Sequence, residues 1–198
     1  VLCLTHPTDP RWAEIALADL ASTLADHAHC EMKAASNALS LATRWPATAR
    51  VSRALAAVAE EELRHFRDVL ALLEQRGVAL GRPDTDAYAA DLRRVASAGS
   101  DRTPAGSLAD RLLVGALIEA RSCERFRLLA DALAARGDAL ASFYDDLFAC
   151  EARHYTTMVE LAAEVRGDEA VVRGRLAELA RAEGEIAARL GVRPTIHG

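Results

Sequence analysis

The tetrad Glu62-Leu63-Arg64-His65 returns 89 residues later as Glu151-Ala152-Arg153-His154. Each is a Glu-x-x-His step with an arginine before the histidine and an aromatic after it, Phe66 and Tyr155. On a helix, positions three apart share a face with Cβ atoms about 5–6 Å apart, so each step aims one carboxylate and one imidazole at one point. Two such steps, plus one glutamate from each of two other helices, make the ligand set of a carboxylate-bridged dimetal site inside a four-helix bundle. A lone Glu-x-x-His among 29 acidic residues and six histidines is ordinarily a solvated helix face. A pair at this offset, each on a long helical stretch, constrains the fold far more.

The rest of the chain supplies the helices. Alanine, leucine, arginine and glutamate dominate, β-branched and aromatic residues are sparse, and helix is favoured almost everywhere. Asp9-Pro10 reads as N-cap and first helical residue of a long helix to about Thr43, with Ile15, Leu17, Leu20, Leu24, Cys30, Met32 and Ala35 as apolar positions and Trp45-Pro46 as its stop. A second helix is predicted over about 47–76, its apolar face being Val51, Leu55, Val58, Leu63, Phe66, Val69, Leu70 and Leu73, with Gly77 ending it. Asp84 is the expected cap of a shorter helix over 85–98, and Ser107 that of a long helix to about Arg136. A fourth long helix covers about 138–166, and Gly167-Asp168 opens a last one to about Leu190, leaving 191–198 as tail. No strand signal occurs. The expectation is an all-α fold of four long helices and two shorter ones, one domain over 1–198.

Spacing extends the ligand set. If the first helix contributes Glu31, the repeat offset lands near residue 120, where Glu119 stands 88 residues on. Glu31 precedes Glu62 by 31 residues and Glu119 precedes Glu151 by 32, whereas the rival Glu124 would give 27. Cys30 precedes Glu31 and Cys150 precedes Glu151, a second echo of the same register. The domain therefore reads as a duplicated helical hairpin with Glu31, Glu62, His65, Glu119, Glu151 and His154 as metal ligands. Four carboxylates and two imidazoles suit two iron or manganese ions. His27, one turn before Glu31, is an ordinary polar or outer-shell group, and Asp26 and Asp146 are candidate acceptors for the ligating histidines.

Composition excludes some functions. The formal charge of −5 provides no global basic field for nucleic acid, although a local arginine patch can sit within an acidic total. Of 24 basic residues 23 are arginine, which either reflects genome composition or serves bidentate phosphate contacts. No run of 18 apolar residues and no signal peptide is present, so the chain reads as cytoplasmic, with no membrane partner. Cys3, Cys30, Cys123 and Cys150 form no C-x-x-C pair, which argues against a rubredoxin-type or structural zinc site.

The strings Asp26-His27-Ala28-His29-Cys30-Glu31-Met32-Lys33, Glu61-Glu62-Leu63-Arg64-His65-Phe66, Leu117-Ile118-Glu119-Ala120-Arg121-Ser122-Cys123-Glu124-Arg125-Phe126 and Glu151-Ala152-Arg153-His154-Tyr155 resemble the bacterial tRNA hydroxylase family MiaE. The likeness runs to about residue 165, and its specific parts are the longer strings around Glu31 and Glu119. It implies a ferritin-like four-helix bundle holding two iron ions. The implied activity is a monooxygenase that hydroxylates the isopentenyl group of 2-methylthio-N6-isopentenyl adenosine beside the anticodon of tRNA. The implied partners are tRNA through its anticodon loop, dioxygen, and a separate electron-donor protein, since no flavin, ferredoxin or NAD motif is present.

Arg44, Arg50, Arg53, Arg64, Arg67, Arg121, Arg125 and Arg127 are the candidates for RNA phosphates, against the alternative of solvated or salt-bridged helix arginines. Trp45, Phe66, Phe126, Tyr144 and Tyr155 read as core aromatics rather than stacking platforms. The competing function is a ferritin-like or rubrerythrin-like iron-storage or peroxide-detoxifying protein. A third reading keeps the oxygenase chemistry and changes the substrate to a lipid or small hydrocarbon.

Overall fold

A computed structural model describes residues 2–44 and 48–197, so the Trp45-Pro46 stop lies outside the described residues. Among those described there are seven helices and no strand: α1 (Arg11–Ala18), α2 (Leu20–Arg44), α3 (Ala49–Gln75), α4 (Ala87–Ala98), α5 (Pro104–Ala134), α6 (Leu140–Arg166) and α7 (Glu169–Leu190). The all-α expectation holds, with one helix more than the sequence suggested.

The extra helix comes from Asp19, which divides the stretch expected to be one helix over 9–43. Its carboxylate accepts from the Ser22 N–H at 3.1 Å, and its carbonyl accepts from the N–H and hydroxyl of Thr23. Aspartate offers the backbone this alternative to an uninterrupted ladder, and here it caps α2. Two other starts shift for the same reason. The cap of α4 is Asp86, not Asp84, and that of α5 is Thr103, whose hydroxyl accepts from the Gly106 N–H with Pro104 at the first helical position. Ser107 lies inside α5. Gly77 ends α3 as expected: at φ +66° it allows the Val78 N–H to reach back to the Leu73 carbonyl at 3.0 Å.

The chain divides into two compact units. One comprises the described residues of 18–85 together with 194–196, and its helices α2 and α3 pack as a hairpin. In it Leu24, Ala28, Ala35, Ala38 and Leu41 of α2, and Val51, Leu55, Val58, Val69 and Leu73 of α3, are buried. Leu63 is not on that face, at 40% exposure, and Met32 is also exposed, because α2 and α3 give their inward positions to Glu31, Glu62 and His65; Ile15, on α1, is exposed as well. Residues 194–196 are not a loose tail: the Ile196 N–H donates to Asp26 Oδ2 at 2.6 Å, and the Ile196 side chain is buried.

The other unit holds residues 2–17, 86–193 and 197, with α5 and α6 as its central hairpin. Trp12, Tyr88, Phe126 and Tyr144 are its largest buried hydrophobic side chains. A buried polar network fixes its N-terminal segment. Arg121 donates to Glu183, Glu124, the Thr8 hydroxyl and the His6 carbonyl, while Tyr88 donates to Glu183 Oε1 at 2.7 Å. All five guanidinium N–H groups are thereby used, which is what allows an arginine to sit in a core.

Candidate metal centre

Each hairpin assembles one triad. In the first, Glu31 projects from α2 and Glu62 and His65 from consecutive turns of α3, all three buried, with ligand atoms within 4.8 Å of one another. His65 Nδ1 stands 3.5 Å from Glu31 Oε2 and 3.5 Å from Glu62 Oε2. In the second, Glu119 of α5 joins Glu151 and His154 of α6, again buried and within 4.8 Å. His154 Nδ1 lies 3.2 Å from Glu151 Oε2. Both histidines therefore face the carboxylates with Nδ1.

The donor chemistry fits a metal. Two carboxylates this close in a buried position repel one another, and desolvation raises the penalty further. A divalent cation removes both costs, and an oxygen-rich set with one imidazole matches iron or manganese. Within the first triad, burial alone would raise the Glu31 carboxyl, yet hydrogen bonds with His27, His65 and Glu62 outweigh it and hold it at about 2. The second triad leaves its mark on a neighbour: burial, then the charges of Glu151 and Glu119, push the Cys123 thiol far above its ordinary range.

The rival glutamate is engaged elsewhere. Glu124 Oε2 accepts from Arg121 Nη1 at 2.5 Å and from the Thr8 N–H at 2.9 Å, on the side of α5 turned away from Glu119. The outer-shell candidates do not serve the histidines. Asp26 is bound to the Ile196 backbone, and Asp146 is exposed. His27, read from the sequence as an ordinary polar or outer-shell group, has its Nε2 2.6 Å from Glu31 Oε1, and Cys150, which that reading did not assign to the site, has its Sγ 3.7 Å from His154 Nε2. Both sit one helical turn before the residue they touch, so the i, i+4 rule was the available signal.

The family model described as tRNA-(MS[2]IO[6]A)-hydroxylase (MiaE) matches residues 2–198. The chain belongs to the MiaE tRNA-hydroxylase family. Among relatives of that family, a Pseudomonas putida protein named tRNA 2-(methylsulfanyl)-N(6)-isopentenyladenosine(37) hydroxylase is 44% identical over 176 residues, 89% of this chain and 82% of its own length. A Salmonella typhimurium protein of the same name is 34% identical over 116 residues, 59% of this chain and 40% of its own length. Among solved structures, one described as Protein 43 with aldehyde deformylating oxygenase activity from Synechococcus superposes with a TM-score of 0.88 at 37% identity, covering 100% of this chain and 96% of that one. The fold of this MiaE-family chain is accordingly ferritin-like, and it is an enzyme of the tRNA-hydroxylase class.

For a MiaE-family enzyme the arginines matter, and the structure sorts them. Arg121 and Arg125 are buried, the first in its ion-pair network and the second over the Trp12 ring at 5.0 Å. Arg127 pairs with Asp145 at 2.6 Å and lies over Phe148. Arg50, Arg53, Arg64 and Arg67 are exposed on α3, while the Arg44 side chain lies outside the described residues. At 100° per residue, Arg53, Arg64 and Arg67 fall within about 60° of arc. Phe126 and Tyr144 are core as expected, and Phe66 and Tyr155 are half-buried. No helix among the described residues is long and apolar enough to cross a membrane.

Proposed function

We propose that the two triads together hold two iron ions, and that the chain hydroxylates the isopentenyl side chain of 2-methylthio-N6-isopentenyl adenosine next to the anticodon of tRNA. The single observation that carries the reading is the occurrence of a buried Glu, Glu, His triad in each of the two helical hairpins of a chain of the tRNA-hydroxylase family. Glu31, Glu62 and His65 would serve one half of the centre, and Glu119, Glu151 and His154 the other. Both halves then act as one ferritin-like domain over 1–198.

Bound iron supplies the activation of dioxygen that hydroxylation of an alkyl C–H bond requires. In the net reaction one oxygen atom enters the C–H bond and the other leaves as water with two protons. Two electrons come from a separate donor protein. The chain's own contribution is to keep six donors deprotonated and fixed, to exclude water by burial, and to hold the alkyl group against the site. Arg53, Arg64 and Arg67 are offered to RNA phosphates, as exposed guanidiniums with no acidic partner among the described residues. A tRNA substrate places the reaction in the cytoplasm.

Nucleoside mass analysis of tRNA from a strain lacking this chain tests the substrate. Loss of the hydroxylated nucleoside, and accumulation of the isopentenyl form, is the expected result; persistence of the hydroxylated form sinks it. An aldehyde, the substrate class in the description of the Synechococcus protein, is the control, and turnover of aldehyde in place of tRNA would favour the hydrocarbon reading.

A further inference from the structure

We infer that His27, a side chain with no counterpart at the equivalent position of the repeat, is a positioning residue that commits one oxygen of Glu31. The inference rests on Glu31 being a metal ligand, as proposed above. His27 and Glu31 stand one turn apart on α2, and His27 is fully buried. His27 Nε2 is 2.6 Å from Glu31 Oε1, at the short end of charge-assisted hydrogen bonds. An ionised carboxylate only accepts, so Nε2–H donates. The other oxygen, Oε2, is the one that faces His65, at 3.5 Å. Glu31 thus has one oxygen held by its own helix and one directed to the site.

The residue equivalent to His27 in the second half has no side chain. The offset of 88 that carries Glu31 to Glu119 carries His27 to Gly115. A Cβ at Gly115 would meet Met158 Sδ at 3.6 Å, an ordinary van der Waals contact, so lack of space does not demand glycine there. Where one half has an imidazole donor, the other has bare backbone beneath a thioether. Hydrogen bonds that orient a ligand typically contribute 10–100-fold to metal affinity. His27 therefore holds the position served by Glu31 through one oxygen.

The test is a titration of the metal-free full chain with cobalt(II) under exclusion of air, read by calorimetry and by visible absorption. Wild-type chain should bind two ions in two resolved steps. His27→Leu keeps bulk and removes the donor, and should weaken one step by about 10–100-fold while sparing the other. His27→Gln places an amide N–H near the original Nε2 and should recover most of the loss. Identical titrations for wild type and His27→Leu overturn the inference. So does a His27→Gln chain as weak as His27→Leu, which would make the imidazole a ligand or a packing group. If His27→Leu fails to fold, His27→Asn, too short to reach Oε1, takes its place: a deficit against His27→Gln supports the inference, and equality overturns it. No binding of cobalt by the wild-type chain defeats the ligand assignment itself, a different outcome from two steps that ignore residue 27.

Discussion

Arg121 meets Glu183 through two parallel hydrogen bonds, Nε to Oε1 and Nη2 to Oε2, each 2.9 Å. The pair is almost fully buried and joins α5 to α7. Removing one partner strands a charge in the core, which typically costs about 3–5 kcal/mol. Glu183→Ala should therefore lower the urea midpoint of the metal-free chain sharply, and Arg121→Met with Glu183→Leu should recover part of the loss. A midpoint unchanged in Glu183→Ala would contradict the role given to the pair.

Glu62→Ala and His154→Ala each remove one donor from a different triad. Each variant should lose bound iron and hydroxylation while far-ultraviolet circular dichroism keeps most of the helical signal. Elemental analysis decides it: two irons per chain in both variants would defeat the assignment of ligands.

Arg64 and Arg67 face outward on the helix that carries Glu62 and His65. Arg64→Gln combined with Arg67→Gln should weaken tRNA binding and reduce the slope of log affinity against log salt by about one to two, as expected for two lost phosphate contacts. Iron content should stay at the wild-type level. An unchanged salt slope removes these arginines from the interface.

The Cys123 thiol is raised by burial and by the nearby charges of Glu151 and Glu119. It should stay protonated and resist alkylation at pH 8 in the folded metal-free chain, then react at the ordinary rate in denaturant. Mass mapping of the labelled peptide distinguishes it from Cys3 and Cys30, which are less buried. Rapid labelling of Cys123 in the folded state would contradict its environment.

Much of the helical layout was legible because the signals are local. Glu-x-x-His reads as one helix face by period alone, and Gly77 and Gly167 stop helices through their own backbone freedom. Caps were less legible: Asp84 and Asp86, or Thr103 and Ser107, satisfy the same local rule, and packing chooses between them. The break at Asp19 was hidden inside a stretch with unbroken helical propensity. Leu63 was placed inside because it is apolar, although the inward positions beside it belong to Glu62 and His65. Arg121 was offered to RNA because Glu183, which claims it, lies 62 residues away. The seating of Ile196 on Asp26 likewise depends on a partner 170 residues distant.

Each triad is drawn from two helices that follow one another in the chain, spanning 34 residues from Glu31 to His65 and 35 from Glu119 to His154. Loop closure over such distances is entropically mild, and local pairings form before distant ones. Closing a single hairpin therefore suffices to gather the donors of either half, at a loop-closure cost that depends only weakly on the rest of the chain.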